Sequence, residues 1–417
     1  MSKVNDVLIV GAGMLQVPLI REAQALGLYV IATDGNLQAH GATIADEFQH
    51  IDTYDIKKHA YLARELSTVH GDPYGVTVLG CCTAGADVAP TVAVVCKVLG
   101  TPGIPLAVAR RTHNKIFVRQ KLSEQGQYDN YQPTWCVLDG YDDRRIFREL
   151  NKYDLAYPLV IKPATQRASR GISIVSNVRE FWRAVGKARQ YGDDILIEQC
   201  LTGTEHSAEA ILDGHGGLLW FNIVDRPFTY EGGRAIELGH VNPSSLVPAQ
   251  QHAIKTMLLD TAQTLGVTWG PFKADVMWTE DGPKILEVTA RLSGGWDCQG
   301  TSPLTGRHPI RTLLQLACGL PVEIWHEAQG YAACAAILPE SSGVIRELPA
   351  GLELNPAQLL GQVHQVIWAI QPGATLAPVE HNAQRAGFVL ASAPTYTYAW
   401  HLAKTAADAL ASAVKVV

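Results

Sequence analysis

The period of the hydrophobic and polar positions changes along this chain, and the changes divide it. Near the start, Asp6-Val7-Leu8-Ile9-Val10 is a short apolar run of the kind carried by a strand buried on both faces. Gly11-Ala12-Gly13 follows, then a helical stretch to about Leu26 and a second apolar run, Tyr29-Val30-Ile31-Ala32-Thr33, ending on Asp34. A third run, Val76-Thr77-Val78-Leu79, precedes a helical stretch from about Ala86 to Leu99. Strands alternating with helices predict a parallel sheet wrapped by helices over residues 1–110. The punctuation Thr101-Pro102-Gly103-Ile104-Pro105 marks its end.

From about Arg111 a helix leads to the strand Leu159-Val160-Ile161-Lys162-Pro163, a polar loop and the strand Ile172-Ser173-Ile174-Val175. A helix over 179–190 and the strand Ile195-Leu196-Ile197-Glu198 come next. Beyond Glu205 the pattern becomes antiparallel. Phe272 to Thr279 reads as one strand, Glu280-Asp281-Gly282-Pro283 as a turn, and Lys284 to Arg291 as the returning strand. Side chains alternate along a strand, so Asp275 shares a face with Lys273 and Met277, and Glu287 with Thr289 and Arg291. Folding the hairpin about Asp281 sets Asp275 opposite Glu287. A helix over 309–318 precedes a smaller α/β piece, residues 319–417, with a strand at Gly387-Phe388-Val389-Leu390-Ala391 and a last helix from about Tyr398 to Val414.

The 417 residues suffice for two or three domains. A hydrophobic content of 47% with 18% charged residues fits a globular chain rather than a disordered one. The formal net charge of −6 argues against bulk binding to nucleic-acid phosphates. None of the eight cysteines forms a C-x-x-C pair, which predicts buried thiols rather than a disulfide or zinc framework. No apolar run reaches membrane-spanning length and the first strand has no signal-like flanks, so no membrane partner and a cytoplasmic location are expected.

Four stretches offer chemistry. Two carboxylates at cross-strand distance repel unless a cation lies between them, and Mg²⁺ would satisfy Asp275 and Glu287 while keeping positions for phosphate oxygens. The alternative is a solvent-facing polar stripe. Lys162 ends a buried strand, where a lysine is costly unless it meets an anion. The following loop, with Ser169, Arg170 and Gly171, offers small and cationic residues to a polyphosphate; the alternative is an edge lysine that snorkels to water. Glu198-Gln199-Cys200-Leu201 closes a strand ahead of a second acid, Glu205. Backbone groups at 199–201 could meet an adenine edge and Glu205 a ribose, or the acids are simply solvated. Gly11, Gly13 and Asp34 have the spacing of a dinucleotide site, but Gln16 occupies the third fingerprint position, which an ordinary strand-turn-helix explains as well.

In their order and spacing, Lys115, Lys162-Pro163, the loop to Gly171, Glu198 to Glu205, and the Asp275/Glu287/Arg291 hairpin resemble the ATP-grasp superfamily. The resemblance covers the whole chain. It implies an α/β and α+β fold with a Rossmann-like N-terminal domain (1–110), a two-lobed ATP-grasp domain (111–318) with a mobile lid at about 156–234, and a C-terminal piece like that of biotin carboxylases. It further implies that Lys115 and Lys162 contact ATP phosphates with the Ser169–Gly171 loop, that 199–201 hold adenine, and that Glu205 holds the ribose. Asp275 and Glu287 would bind Mg²⁺ ions, with Mn²⁺ as a substitute, and Arg291 would stabilise an acyl-phosphate. A homodimer is a family-level expectation.

Four positions depart from the family pattern. Asn114 stands where Asp precedes the lysine, the loop before Gly171 has few glycines, Asp275 replaces a longer Glu, and Thr289 replaces the Asn of Glu-x-Asn-x-Arg. Glu287-Val288-Thr289-Ala290-Arg291-Leu292-Ser293-Gly294-Gly295 and Glu237-Leu238-Gly239-His240 look like segments of ligases that join amino acids. By that likeness Glu237 and His240 would meet the incoming amine and help take up its proton, while Gly294 and Gly295 approach a substrate carboxylate and Arg226 clamps one. The substrates would be a small-molecule carboxylate and an amine. A bicarbonate-using carboxylase or carbamoyl-phosphate-type enzyme, a nicotinamide-dependent oxidoreductase built on Gly11, Gly13 and Asp34, and a non-catalytic nucleotide sensor are the competing readings.

Overall fold

In the computed structural model, which describes residues 5–68, 77–138, 143–166, 169–192, 194–230, 235–324, 327–349 and 361–417, the first apolar run forms strand β1, Asn5–Val10. It pairs in parallel with β2 (Tyr29–Asp34) and β4 (Thr77–Cys82), and β2 pairs with β3 (Glu47–His50), in the order β3-β2-β1-β4. Val7 and Ile9 point into one core with Leu19, Ile20 and Ala23 of the helix Val17–Ala25. Leu8 and Val10 point into another with Ala63, Val95 and Cys96. Burial on both faces is why the run carries no polar alternation. The helix Ala89–Leu99 starts later than the expected Ala86, because Pro90 is tolerated only in a first turn.

The same unit closes off the dinucleotide reading. Asp34 Oδ2 accepts the Ala12 N–H at 2.9 Å and Oδ1 accepts the Asn36 N–H at 2.9 Å, so the carboxylate braces its own turn. Gln16 is buried and donates its amide to the Ala84 carbonyl. A Cβ on Gly11 would stand 3.2 Å from Gln16 Cδ. The glutamine side chain packs over the Gly11–Gly13 turn, where the fingerprint has a third glycine for close helix–strand packing.

A small lobe is built on β5 (Trp135–Leu138), β6 (Leu159–Pro163), β7 (Ser173–Val175) and β8 (Ile195–Gln199), antiparallel in the order β5-β8-β6-β7. Its first strand comes from upstream of residue 156. Leu159, Ile161, Ile195 and Ile197 pack under the helices Asp143–Lys152 and Val178–Arg189 through Ile146, Leu150, Phe181 and Val185. Asn177 caps the second helix, its Oδ1 accepting from the N–H groups of Arg179 and Glu180. Alternation then puts Lys162 and Glu198 on the opposite face of this sheet from those helices.

The main lobe follows as β9 (Thr204–Asp213), β10 (Leu218–Asp225), the short ribbon β11 (Phe228–Thr229) and β12 (Ile236–Glu237), β13 (Gly239–Asn242), β14 (Trp269–Thr279) and β15 (Gly282–Thr289). Downstream lie β16 (Tyr331–Ile337), β17 (Gly343–Glu347), β18 (Gln362–Trp368), β19 (Thr375–Leu376), β20 (Gly387–Ala393) and β21 (Lys415–Val416). Eight of these make one antiparallel sheet, β15-β14-β9-β10-β13-β16-β20-β18. The strands after Gly319 therefore extend the central sheet, and only β19-β17-β21 stand apart. The helix Tyr396–Ala413 seals this end through Ala399, Ala403, Ala406 and Ala407 against Ala333, Ala335 and Ala391, small side chains that let helix and sheet approach closely.

At the other end, Ala274, Val276, Ile285 and Val288 pack under the helices Lys115–Glu124 and Pro248–Leu265. Asp275 pairs with Glu287 across the hairpin, and the register shifts by one residue immediately after Asp275. This bulge lies on the edge strand, where bulges re-aim side chains. All eight cysteines are free thiols. No helix among the described residues is long and apolar enough to cross a membrane.

Candidate active site

A cavity of about 510 Å³ lies between the small lobe, the Asp275–Glu287 hairpin, the N-terminal unit and the β20 end of the central sheet. Lys115, Lys162, Ser169, Glu198, Gln199, Cys200, Leu201, Glu205, Arg226, Glu237, His240, Asp275, Glu287, Arg291, Gly294 and Gly295 all line it. Arg170 is exposed and, with Gly171, lies outside the lining. A Cβ on Gly171, whose φ is +74°, would press to 2.8 Å from Pro163 and Tyr191, so this glycine serves the turn.

The cationic end is assembled from two lobes. Asn114 caps the helix Lys115–Glu124, its Oδ1 accepting from the Phe117 N–H at 3.1 Å. Asn performs this job as well as Asp, which explains the first departure. Lys115 opens the helix, where free N–H groups and the helix dipole favour an anion. Its Nζ lies 2.9 Å from Glu287 Oε1 and donates to the Gln166 carbonyl at 2.5 Å. Lys162 ion-pairs with Glu198, whose other oxygen takes Arg119 Nε at 2.7 Å. Arg119 also donates to the carbonyls of Ile285 and Leu286, tying the small lobe to the hairpin. Burial works against the charge on Glu198, but Arg119 and Lys162 overcome it and hold the carboxyl below the glutamate range. Glu198 thus supports Lys162, a role the sequence did not reveal.

Glu205 sits further along the wall and accepts from the Tyr230 hydroxyl; burial pushes its carboxyl up. Ser169 Oγ accepts from Asn382 Nδ2 at 3.2 Å, while Asn382 Oδ1 accepts the Glu237 N–H at 2.9 Å. One asparagine from beyond residue 319 thereby joins the loop at Ser169 to the opposite wall.

At that wall Arg226 makes a two-toothed pair with Glu237, Nε to Oε1 at 2.9 Å and Nη2 to Oε2 at 3.1 Å, and reaches Asp275 Oδ1 with Nη1 at 2.6 Å. Arg385 adds a contact to Glu237 Oε2 at 3.3 Å. Burial resists the charge on Glu237, and the two guanidinium groups still hold its carboxyl well below the usual range. Such a carboxylate binds cations and is a poor proton acceptor at neutral pH. His240 donates to or accepts from Thr301 Oγ1 at 2.9 Å, and burial pulls its pKa down to about 4 against the opposing charge of Glu237. It is neutral at pH 7. Arg291 is braced by Asp87 of the N-terminal unit, Nε to Oδ1 at 2.7 Å. Gly294 meets the backbone of Gly85, where a Cβ would come to 3.0 Å from its carbonyl oxygen.

Sequence reasoning did not find Asp87, Arg119, Lys273, Asn382 or Arg385. Lys273 alone left a local signal, its place two residues before Asp275. A further cluster, Glu209, Asp297 and Cys298, is fully buried with ligand atoms within 4.8 Å of one another. Cys298 Sγ and the Ser293 N–H both donate to Glu209 Oε2, and burial with the Glu209 charge pushes the Asp297 carboxyl well up. Its chemistry is that of a proton-sharing pair bracing the 293–298 loop.

For a divalent ion the fit is specific. Oδ1 of Asp275 is taken by Arg226 and by Lys273 Nζ at 2.5 Å, and Oε1 of Glu287 by Lys115. Oδ2 of Asp275 and Oε2 of Glu287 take no protein hydrogen bond among the described residues, and facing carboxylate oxygens are a hard-cation donor set.

Residues 155–299 match the family model of the ATP-grasp domain. Over 91% of its length the chain is 22% identical to the uncharacterised protein y4rH of Sinorhizobium fredii, covering 76% of that protein. It is 23% identical to human carnosine synthase 1 over 76% of this chain, which spans only 40% of that relative. The solved structure of L-amino acid ligase from Bacillus licheniformis superposes with a TM-score of 0.77 at 22% identity, covering 97% of both chains, a likeness of fold. Cavity, domain and fold agree: the chain carries an ATP-grasp domain over residues 155–299 and has the overall fold of an L-amino acid ligase.

Proposed function

We propose that this protein is an ATP- and Mg²⁺-dependent ligase that forms an amide between two amino acids, or between an amino acid and another small carboxylate. The observation that carries the reading is the convergence of Lys115 and Lys162 with the facing carboxylates of Asp275 and Glu287 on one cavity. The similarity to carnosine synthase and to an L-amino acid ligase supports the amino-acid class.

In this reading Lys115 and Lys162 hold the phosphates, with Ser169 on the loop beside them. The backbone of Gln199, Cys200 and Leu201 receives the adenine, and Glu205 the ribose hydroxyls. Asp275 and Glu287 would hold Mg²⁺, which neutralises phosphate charge when bound. A carboxylate oxygen of the first substrate attacks the γ-phosphorus and ADP leaves, giving an acyl-phosphate. Arg291, held in place by Asp87, offers a fixed cation to that group and to the oxyanion formed when the amine adds to its carbonyl carbon. Phosphate then departs and the amine loses a proton. Glu237, permanently charged, would attract the ammonium form of the incoming amine; His240, neutral and too weak a base to hold the proton at pH 7, would pass it on to the departing phosphate. Gly294 and Gly295 leave backbone exposed to a substrate carboxylate, with Arg226 near its other side.

The deciding experiment is release of ADP and phosphate from Mg·ATP with pooled amino acids, with bicarbonate as a separate arm. Turnover that requires amino acids, with an amide identified by mass spectrometry, is the expected result. Turnover with bicarbonate alone would assign the protein to carboxylase-type chemistry instead.

A further inference from the structure

We propose that Lys273 takes the place of a second divalent cation, so that the site binds a single metal ion and the protein supplies the remaining positive charge. The inference rests on the ligase reading above. Lys273 lies on β14 directly across from Thr289 on β15, one step along the same face from the Asp275–Glu287 pair. It is 8% exposed and lines the cavity. A long side chain faces a short one, and the ammonium stands 2.5 Å from Asp275 Oδ1, two residues along the same strand.

A second ion between the two strands would need a further uncommitted carboxylate oxygen and a neighbouring oxygen on this face, beside those that water and phosphate supply. Neither is on offer. Asp275 Oδ1 already receives Lys273 and, at 2.6 Å, Arg226. On β15 the hydroxyl of Thr289 points at Asp87 Oδ1, 3.5 Å away, and on β9 Ser207, across from Asp275, donates its hydroxyl to Glu209 Oε1 at 3.5 Å. Two fixed cations on one carboxylate oxygen also repel a second dication at close range. Remaining room for a metal is at Asp275 Oδ2 and Glu287 Oε2, which is one site. Thr289 and Lys273 then make a matched exchange: where an oxygen ligand is missing on one strand, an ammonium appears opposite it on the other.

The test is equilibrium dialysis of Mn²⁺ against the full chain saturated with a non-hydrolysable ATP analogue, with bound nucleotide measured in the same cell. One Mn²⁺ per nucleotide-loaded wild-type chain is expected, and two in the double variant Lys273→Ala/Thr289→Asn. Lys273→Gln should bind the triphosphate analogue about tenfold more weakly, the loss of one charged contact, and adenosine unchanged. Two ions on the wild type overturn the proposal, as does an equal loss of affinity for adenosine and the analogue in Lys273→Gln. Absence of bound nucleotide in every arm would instead refute the ATP-dependent reading beneath it.

Discussion

Lys115 and Glu287 form an ion pair at 2.9 Å that joins the first turn of a helix to the edge strand of the central sheet. The lysine side chain is 6% exposed and the glutamate 29%, so the pair stands at the cavity wall with the cation inside. Glu287→Ala removes a partly exposed carboxylate and opens no core void. ATP turnover should fall by at least ~10²-fold, on the scale of losing a preorganised charge in an active site, while circular dichroism and the thermal midpoint stay near wild type. Turnover within a few-fold of wild type would overturn the proposed role of Glu287 in holding a metal ion.

Arg291 donates to Asp87 on one side and to its neighbour's Leu292 carbonyl on the other, which fixes its guanidinium without consuming all its donors. Arg291→Ala should leave affinity for an ATP analogue within about twofold and slow the chemical step by ~10²–10³-fold. Asp87→Asn should give a smaller kinetic defect of the same kind, because it loosens the arginine without removing it. Rapid-quench measurement of ADP formation separates the two steps, and a defect confined to nucleotide affinity would contradict the assignment.

Glu198 is buried between Arg119 and Lys162. Glu198→Gln leaves two buried cations against a neutral amide, and should destabilise the small lobe by about 3–5 kcal/mol. Hydrogen exchange at β6 and β8 would report it most directly. The wild-type carboxyl is held below the glutamate range, so its contribution is complete above the unfolded-state value and is lost as pH falls through the lowered folded value. The variant should lose that acid-side dependence.

His240 titrates with the opposite chemistry and the same sign. Its folded pKa lies near 4, below that of an unfolded histidine, so between about pH 6.5 and 4 the unfolded chain binds more protons. Stability should therefore decline as pH falls through that window. His240→Gln, which keeps a polar group near Thr301, should flatten the decline in urea titrations taken from pH 7 to pH 4.5. An unchanged profile would show that another group governs it.

Much of this molecule was readable from local pattern. The facing of Asp275 and Glu287 came out as expected, but the register near the turn did not: Thr279 pairs with Gly282, one residue off the fold about Asp281, and a bulge after Asp275 restores the pair. The ATP-grasp fold was legible in the order of its motifs because each motif is a strand end with its own loop. The partners of those motifs were not. Asp34 had the spacing of a ribose ligand but turns inward to the N–H groups of Ala12 and Asn36.

Glu198 looked like part of an adenine wall and is the counter-charge of Lys162 and Arg119, a pairing set by how the small lobe docks on the hairpin. Asp87 behind Arg291, Asn382 between Ser169 and Glu237, and Arg385 on Glu237 come from elements far apart in the chain. By itself the sequence determined where the strands that carry the motifs lie and which face their side chains take, since backbone geometry alternates over two residues. Tertiary structure alone decided which charges meet, since a buried ion is tolerable only where packing brings its counter-ion within a few ångströms.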